Sequence, residues 1–216
     1  MIKAALFDLD GTLADSLADI AESMNGALAE RGYPGRPEAN YKYLVGDGAA
    51  KLAERLLPDD KKTPGEIELL RGMWAERYAK HCLVKTRPYD GMAETLERLK
   101  RSGVRLCVVT NKSEELAKKI IHGLYGEDTF DIISGKHEGS PLKPDPYLAR
   151  EAMRIFGADG SECVFTGDTA VDMKTAVNAG CAPVGALWGY RTAEELSGAG
   201  AKFLIEKPSE LLAICF

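Results

Sequence analysis

Two carboxylates near the start of the chain are the residues best suited to chemistry. Asp8 and Asp10 directly follow an apolar run at residues 2–7, and Gly11 and Thr12 come next. If this run is a strand, a spacing of two places both carboxylates on one side of the chain as it leaves the sheet. Carboxylates there can act as nucleophiles, as acids or bases, or as ligands of a hard cation.

Five more polar residues lie after later apolar runs: Thr110, Asn111, Lys143, Asp168 and Asp172. Each of them alone is compatible with a turn, an exposed loop or a helix cap. In an open parallel sheet, however, ligands bind beyond the carboxyl ends of the strands. Their joint occurrence, in this order and each after a predicted strand, therefore favours one shared site.

Apolar runs alternate with helical patterns through most of the chain. The predicted strands cover residues 2–7, 104–109, 130–133, 163–165 and 183–187, and the predicted helices cover residues 91–101, 113–124, 145–156 and 170–179. This alternation is typical of a parallel sheet covered by helices. The predicted fold class is therefore α/β.

One long segment interrupts this alternation. Residues 14–87 show helical periodicity, no convincing strand, and breaks at residues 32–35 and at Pro58. We predict a helical domain at residues 14–87, inserted after the first strand of a core formed by residues 1–13 and 88–216. A chain of 216 residues with 45% hydrophobic residues is long enough for both.

Composition excludes several classes of function. The net charge of -5 comes from acidic and basic residues mixed along the chain, so neither a nucleic acid nor a membrane is expected as a partner. No stretch resembles a signal peptide or a membrane span, which predicts a cytoplasmic protein. The five cysteines include no CxxC pair and are predicted to be buried free thiols. The oligomeric state, monomer or homodimer, stays open.

The four motifs resemble those of the haloacid dehalogenase superfamily. The matching segments are Asp8-Leu9-Asp10-Gly11-Thr12, Thr110-Asn111, Lys143 and Gly167-Asp168-Thr169-Ala170-Val171-Asp172. The resemblance implies a Rossmann-like core with an inserted helical cap, which agrees with the predicted insert. It also implies a phosphatase in which Asp8 is the nucleophile, an aspartyl phosphate is the intermediate, and Asp10 is the general acid and base.

The same resemblance implies a magnesium site and a phosphate site. Magnesium would be bound by the Asp8 carboxylate, the Asp10 carbonyl, Asp168 and, directly or through water, Asp172. The phosphoryl group would be bound by Thr110, Asn111, Lys143 and backbone amides near Gly11. Lys143 would also orient Asp8. The expected partner is a small phosphorylated metabolite.

The predicted cap offers a clue to the substrate. Gly46, Asp47 and Gly48 look like the cap loop of phosphoglycolate phosphatases, and Trp188-Gly189-Tyr190 is similar to the same group. A Gly-Asp-Gly turn exposes backbone amides to a small anion, although it also suits an ordinary helix start. The best substrate prediction is 2-phosphoglycolate, while the loop at residues 135–142 departs from the pattern of that group.

Other functions share these motifs. A β-phosphoglucomutase-like mutase, a pyrophosphatase and a nucleotidase remain open as alternatives. A non-catalytic binding module is disfavoured because Asp8, Asp10, Lys143 and Asp168 are all present. His81 and His137 lack a partner at useful spacing and are interpreted as solvated or structural.

Overall fold

The computed structural model describes all 216 residues. The chain divides into two compact units, one formed by Met1–Asp15 and Pro88–Phe216 and the other by Ser16–Arg87. The predicted boundaries lay at residues 13/14 and 87/88. Two short strands mark the places where the chain leaves the first unit and returns to it.

The first unit is built on a six-stranded parallel sheet. The strands of the chain are β1 (Ala4–Phe7), β2 (Ala14–Asp15), β3 (Arg87–Pro88), β4 (Arg105–Ser113), β5 (Ile132–Lys136), β6 (Cys163–Gly167), β7 (Ala182–Ala186) and β8 (Phe203–Ile205). The sheet has the order β5-β4-β1-β6-β7-β8, so the strand order reverses between β1 and β6. The α/β fold prediction is confirmed, and the reversal marks the crevice where such sheets bind ligands.

Ten α-helices surround the sheet or form the second unit. They are α1 (Leu17–Glu30), α2 (Glu38–Tyr41), α3 (Ala49–Leu56), α4 (Pro64–His81), α5 (Met92–Arg101), α6 (Glu114–Tyr125), α7 (Tyr147–Phe156), α8 (Ala170–Ala179), α9 (Ala193–Gly198) and α10 (Leu211–Cys215). Helices α7 and α8 end at Gly157 and Gly180, which take φ angles of +62° and +83°. Glycine adopts this left-handed conformation without a Cβ clash.

One face of the sheet carries a hydrophobic core cluster. Alternate residues of the central strands, such as Leu6 and Phe165, pack with Ala152 and Met153 of α7 and with Ala176 of α8. Burial of these side chains provides the main driving force that holds the two helices on the sheet. The strand ends, and with them the polar residues of the sequence motifs, are thereby held on a rigid support.

The strands differ from prediction at several places: β2 and β3 were not predicted, and the strand predicted at residues 130–133 is β5 at Ile132–Lys136. The strand predicted at residues 104–109 continues to Ser113, because its polar end, residues 110–112, is buried rather than exposed. The last strand, β8, is only three residues long and was not predicted. So short a run has no measurable periodicity, and its place depends on pairing with β7.

The second unit has its own packed interior. Trp74 and Tyr78 of α4 are buried, their rings stack with centroids 4.9 Å apart, and the indole N–H of Trp74 donates to the carbonyl of Ile20 in α1. The carboxylate of Asp19 accepts hydrogen bonds from the backbone N–H groups of Lys85 and Thr86, which ties the end of this unit to α1.

Candidate active site

Asp8 lies at the carboxyl end of β1, at the reversal in strand order. Its N–H donates to the carbonyl of Thr166 in β6 at 2.9 Å, so the two strands stay paired up to this residue. The chain then turns sharply, with the N–H of Ala14 donating to the carbonyl of Leu9 at 2.9 Å and Gly11 at a φ of +86°. The turn keeps the carboxylate of Asp8 at the rim of the sheet with only 6% of the residue exposed.

Lys143 forms ion pairs with two of the carboxylates. Its Nζ lies 2.7 Å from Asp8 Oδ1 and 2.6 Å from Asp172 Oδ1. Burial alone would lower the pKa of Lys143, but the carboxylates of Asp172 and Asp8 raise it above its ordinary value. The ammonium is therefore charged, and it holds the Asp8 carboxylate in one place.

The carboxylates are crowded together in a dry environment. Burial, with the negative charge of Asp172, raises the pKa of Asp8 to about 7, although Lys143 opposes the shift. Burial and the charges of Asp172 and Asp8 also raise the pKa of Asp168 well above its ordinary value. Elevated pKa values of this kind indicate that the site has more negative charge than its own lysine neutralises.

Asp168 follows β6 and is completely buried. Its Oδ1 accepts a hydrogen bond from the hydroxyl of Thr12 at 2.8 Å, and its Oδ2 accepts one from the N–H of Tyr190 at 2.9 Å. These bonds join the turn after β1 to the segment after β7. Thr12 belongs to the first motif, but nothing in the sequence pairs it with a residue so distant in the chain.

Two glycines enclose Asp168. A Cβ on Gly189 would lie 2.3 Å from the Cβ of Asp168 and 2.4 Å from the carbonyl oxygen of Gly11. A Cβ on Gly11 would lie 2.3 Å from Asp168 Oδ2. Neither contact is sterically possible, so both positions require glycine for the backbone to approach the carboxylate.

Asp172 lies in the first turn of α8. Its Oδ2 accepts hydrogen bonds from the N–H of Thr169 at 3.0 Å and from the hydroxyl of the same residue at 2.7 Å, while Oδ1 pairs with Lys143. The carboxylate thus caps the helix and holds the lysine at the same time. This arrangement favours an orienting role over direct ligation of a metal.

The three carboxylates could hold a cation. One oxygen each of Asp8, Asp168 and Asp172 lie within 4.8 Å of one another, and all three residues are buried. When all three carboxylates are ionised, the group and Lys143 together carry two negative charges, which a divalent cation would neutralise. Oxygen ligands of this type suit a hard ion such as Mg²⁺.

Thr110 and Asn111 lie at the buried end of β4. Asn111 Oδ1 accepts a hydrogen bond from the N–H of Lys143 at 2.8 Å, and Asn111 Nδ2 donates to the carbonyl of Lys143 at 3.3 Å. The hydroxyl of Thr110 accepts from the N–H of Lys112 at 3.2 Å. The structure therefore gives Asn111 a role in holding Lys143, and phosphate binding by Thr110 and Asn111 stays a prediction.

Lys112 is a residue of the site that the sequence analysis missed. Its Nζ lies 3.0 Å from Asp10 Oδ2, and its side chain is only 4% exposed. The sequence does show a lysine directly after Thr110-Asn111, at the end of an apolar run. A lysine at this position is equally compatible with the start of an exposed helix.

Aromatic residues fix the turn that follows Asp8. The indole N–H of Trp188 donates to the carbonyl of Thr12 at 3.0 Å, and the hydroxyl of Tyr125 donates to the carbonyl of Leu13 at 2.6 Å. The ring of Tyr89 lies against that of Trp188, with centroids 6.3 Å apart. Because both carbonyls are hydrogen-bonded, the turn is restrained next to Gly11, which has the most conformational freedom of its residues.

The predicted specificity loop belongs to the second unit. Gly46 and Gly48 have φ angles of +127° and +89°, and Gly48 precedes α3. The carboxylate of Asp47 pairs with Arg55 at 2.5 Å, and Arg55 also donates to the carbonyl of Leu44 at 2.7 Å. The loop is thus held within its own unit, and its role in substrate selection stays a prediction.

The histidines and cysteines show no catalytic arrangement. His81 Nδ1 lies 2.8 Å from the carbonyl oxygen of Arg77, and His137 Nδ1 lies 3.1 Å from that of Gly135. These local contacts agree with the structural interpretation. All five cysteines are buried and free, as predicted.

Comparison with known proteins identifies the relatives of this chain. Residues 2–180 match the family model of the haloacid dehalogenase-like hydrolases. A phosphoglycolate phosphatase of Aquifex aeolicus is 35% identical over 213 residues, which cover 99% of this chain and 96% of that protein. An N-acetylmuramic acid 6-phosphate phosphatase of Pseudomonas aeruginosa is 32% identical over 215 residues, which cover 99% and 94%.

Solved structures agree with this family. The crystal structure of a predicted phosphoglycolate phosphatase from Haemophilus somnus matches with a TM-score of 0.91 at 29% identity, covering 100% of this chain and 98% of that one. A mutant of CbbY from Rhodobacter sphaeroides, in complex with xylulose-(1,5)bisphosphate, matches with a TM-score of 0.82 at 26% identity, covering 98% and 96%.

No helix of the chain has the length and apolar character needed to cross a bilayer.

Proposed function

Because the chain belongs to the haloacid dehalogenase-like hydrolases, we propose that it is a magnesium-dependent phosphatase of a small metabolite, with 2-phosphoglycolate as the preferred substrate. The observation that carries the proposal is the position of Asp8. Its carboxylate is held by Lys143 at 2.7 Å, beside Asp168 and Asp172, at the carboxyl rim of the sheet. A carboxylate so placed is suited to attack a phosphoryl group bound at that rim.

The donor set supports magnesium as the cofactor. Asp8, Asp168 and the carbonyl of Asp10 would hold the ion, with Asp172 acting through Lys143 and the start of α8. When bound, magnesium supplies positive charge that offsets the repulsion between the Asp8 carboxylate and the phosphate oxygens. The net negative charge of the buried cluster is the structural reason to expect a divalent cation there.

The proposed reaction has two displacements. In the first, an oxygen of Asp8 forms a bond to phosphorus while the bond from phosphorus to the ester oxygen breaks, and the leaving oxygen receives a proton from Asp10. In the second, a water oxygen bonds to phosphorus, its proton passes to Asp10, and the bond between phosphorus and Asp8 breaks. The products are an alcohol and inorganic phosphate, and both carboxylates return to their starting states.

Lys143 serves both displacements. Its ammonium orients the attacking carboxylate of Asp8, and it places positive charge where the oxygens of the transferring group gather negative charge. The N–H of Gly11 already donates to the carbonyl of Ala14 at 2.9 Å, which argues against the predicted phosphate contact there. Asn111 contributes by holding the backbone of Lys143, so that its ammonium stays in place. Fixed donors of this kind need no reorganisation during the reaction.

Substrate choice rests on the relatives and on the second unit. Curated relatives at 35% and 36% identity are phosphoglycolate phosphatases, which supports 2-phosphoglycolate. We infer that the helical unit of residues 16–87 acts as the cap and that the loop at Gly46, Asp47 and Gly48 contributes to selection. The relative that acts on N-acetylmuramic acid 6-phosphate makes a sugar phosphate the second candidate.

The test is phosphate release from a panel of esters with and without Mg²⁺. The panel contains 2-phosphoglycolate, N-acetylmuramic acid 6-phosphate, β-glucose 1-phosphate, pyrophosphate and nucleoside monophosphates. We expect the highest kcat/KM for 2-phosphoglycolate, and loss of activity when EDTA removes the metal. Conversion of β-glucose 1-phosphate to glucose 6-phosphate without free phosphate would instead indicate a mutase, and a chain that transfers phosphate from no ester would refute the proposal.

A further inference from the structure

Lys112 and Asp10 form a buried ion pair at the rim of the site. Nζ of Lys112 lies 3.0 Å from Asp10 Oδ2, with the lysine side chain 4% exposed and the aspartate side chain 14% exposed. Lysine is almost never buried without a partner, and burying both charges costs desolvation energy that two apolar residues would avoid. The pair is therefore better explained by function at this site than by stability.

The backbone around Lys112 is shaped to deliver this side chain. The pairing of β4 with β5 loses its register between Val109 and Ser113, and such irregularities often redirect a side chain next to an active site. Gly135 of β5 lies against the irregular segment, where a Cβ would lie 2.7 Å from the carbonyl oxygen of Lys112 and 2.6 Å from the Cα of Glu114. Only glycine allows β5 to approach so closely.

We propose that Lys112 is a positioning residue that holds the Asp10 carboxyl group in the place from which it exchanges protons with the leaving group and with water. This inference rests on the proposed function, in which Asp10 carries those protons. Asp10 lies beyond the end of β1, in an isolated bridge to Ala14. Lys112 reaches it from the neighbouring strand, and a misplacement of about 1 Å can cost about 100-fold in rate.

The leaving group provides a selective readout. Phenoxide is a strong base and leaves slowly unless it is protonated, whereas p-nitrophenolate is stable without a proton. Phenyl phosphate and p-nitrophenyl phosphate otherwise have similar shape and neither carries a carboxylate. A residue that positions the acid should therefore matter more for phenyl phosphate, while a residue that only supports the fold should affect both esters equally.

The experiment compares kcat/KM for the two esters, with Mg²⁺, in the wild type and in Lys112→Met. We expect a fall of about 10- to 100-fold for phenyl phosphate and a clearly smaller fall for p-nitrophenyl phosphate. Lys118→Met is the matched control, because Lys118 also pairs with a carboxylate, that of Glu114, but on the exposed surface of α6. It should leave both values unchanged.

A double-mutant cycle checks that Lys112 acts through Asp10. On the best ester of the panel, Lys112→Met should cause no further loss in an Asp10→Asn background, since the group that it positions is already gone. Lys112→Arg keeps the positive charge on a side chain of different length. It should also lower kcat/KM more for phenyl phosphate than for p-nitrophenyl phosphate, but by a smaller factor than Lys112→Met. It provides the test if thermal melting shows that Lys112→Met does not fold.

Three results would overturn the inference. They are an equal loss for both aryl esters, a loss confined to 2-phosphoglycolate, and an additive loss in the Asp10→Asn background. The second result would mean that Lys112 binds the substrate carboxylate instead. A wild-type protein that hydrolyses no ester is a different outcome, because it refutes the proposed phosphatase and removes the role of Asp10 along with it.

Discussion

The side-chain amide of Asn111 binds the backbone of Lys143 at both its N–H and its C=O, at 2.8 Å and 3.3 Å. The amide thus makes the two hydrogen bonds that a neighbouring strand would make. It makes them to the loop that carries Lys143, which is not part of a strand. Since Nζ of Lys143 is shared between Asp8 and Asp172, a shift of this backbone would move the one ammonium that links the two carboxylates. Asn111 is part of the site through geometry, whether or not it also contacts phosphate.

The first prediction concerns this contact. We expect Asn111→Ala to lower kcat by about 10- to 100-fold, because Lys143 loses its alignment with the carboxylates. Asn178→Ala is the control, since Asn178 donates a similar bond at 2.9 Å to the carbonyl of Pro144 from the exposed side. Steady-state phosphate release measures both. Wild-type activity in Asn111→Ala would show that Lys143 is positioned without the amide.

The second prediction concerns Asp8, the proposed nucleophile. Asp8→Asn should abolish turnover, because an amide cannot form the acyl phosphate, whereas Asp15→Asn, at an exposed position in the same segment, should remain active. Acid quenching with labelled substrate should trap phosphoenzyme in the wild type and none in Asp8→Asn. Full activity of purified Asp8→Asn would exclude this residue as the nucleophile.

The third prediction concerns the glycine beside Asp168. Gly189→Ala would place a Cβ 2.3 Å from the Cβ of Asp168, so either the carboxylate or the backbone must move. We expect a stability loss of about 1–3 kcal/mol and weaker binding of Mg²⁺, measured by thermal melting and by magnesium titration of activity. Gly198→Ala, where a Cβ meets nothing within 4 Å, should lower neither. Unchanged magnesium binding in Gly189→Ala would contradict a metal-binding role for Asp168.

The fourth prediction concerns pH. Asp8 has a pKa raised from 3.8 to about 7, so its proton is held more tightly in the folded protein than in the unfolded chain. The stability from this proton is complete below about pH 4 and is lost as the pH rises through about 7. Asp168 shifts in the same direction. The melting temperature of the metal-free protein should therefore decline over this range, by about 2–4 °C for each kcal/mol lost.

The matched measurement uses Asp8→Asn, which has no proton to lose at this position. Its melting temperature should decline less steeply over the same range, and subtracting the two profiles cancels the contributions of titrating groups that do not interact with Asp8. Mg²⁺ should raise the melting temperature of the wild type, and most at the upper end, where the carboxylates are ionised. A wild-type melting temperature that rises between about pH 4 and pH 7 by the same amount as the variant would rule out this effect.

The sequence alone determined the chemistry and the class of fold. Asp8 and Asp10 are identifiable because they follow an apolar strand at a spacing of two, and the alternation of strands and helices predicts the parallel sheet. These signals are local, since they depend on side chains a few residues apart and on the periodicity of one element. The same local reasoning placed α8 at its observed bounds, Ala170–Ala179.

Which polar residues meet depends on the tertiary structure. Thr12 bonds to Asp168 across 156 positions of sequence, and Lys112 reaches Asp10 because β4 lies beside β1 in the sheet. The need for glycine at position 189 likewise exists only once the carboxylate of Asp168 is in place. Such contacts depend on strand order and on the register between strands, and periodicity within one element carries no information about either.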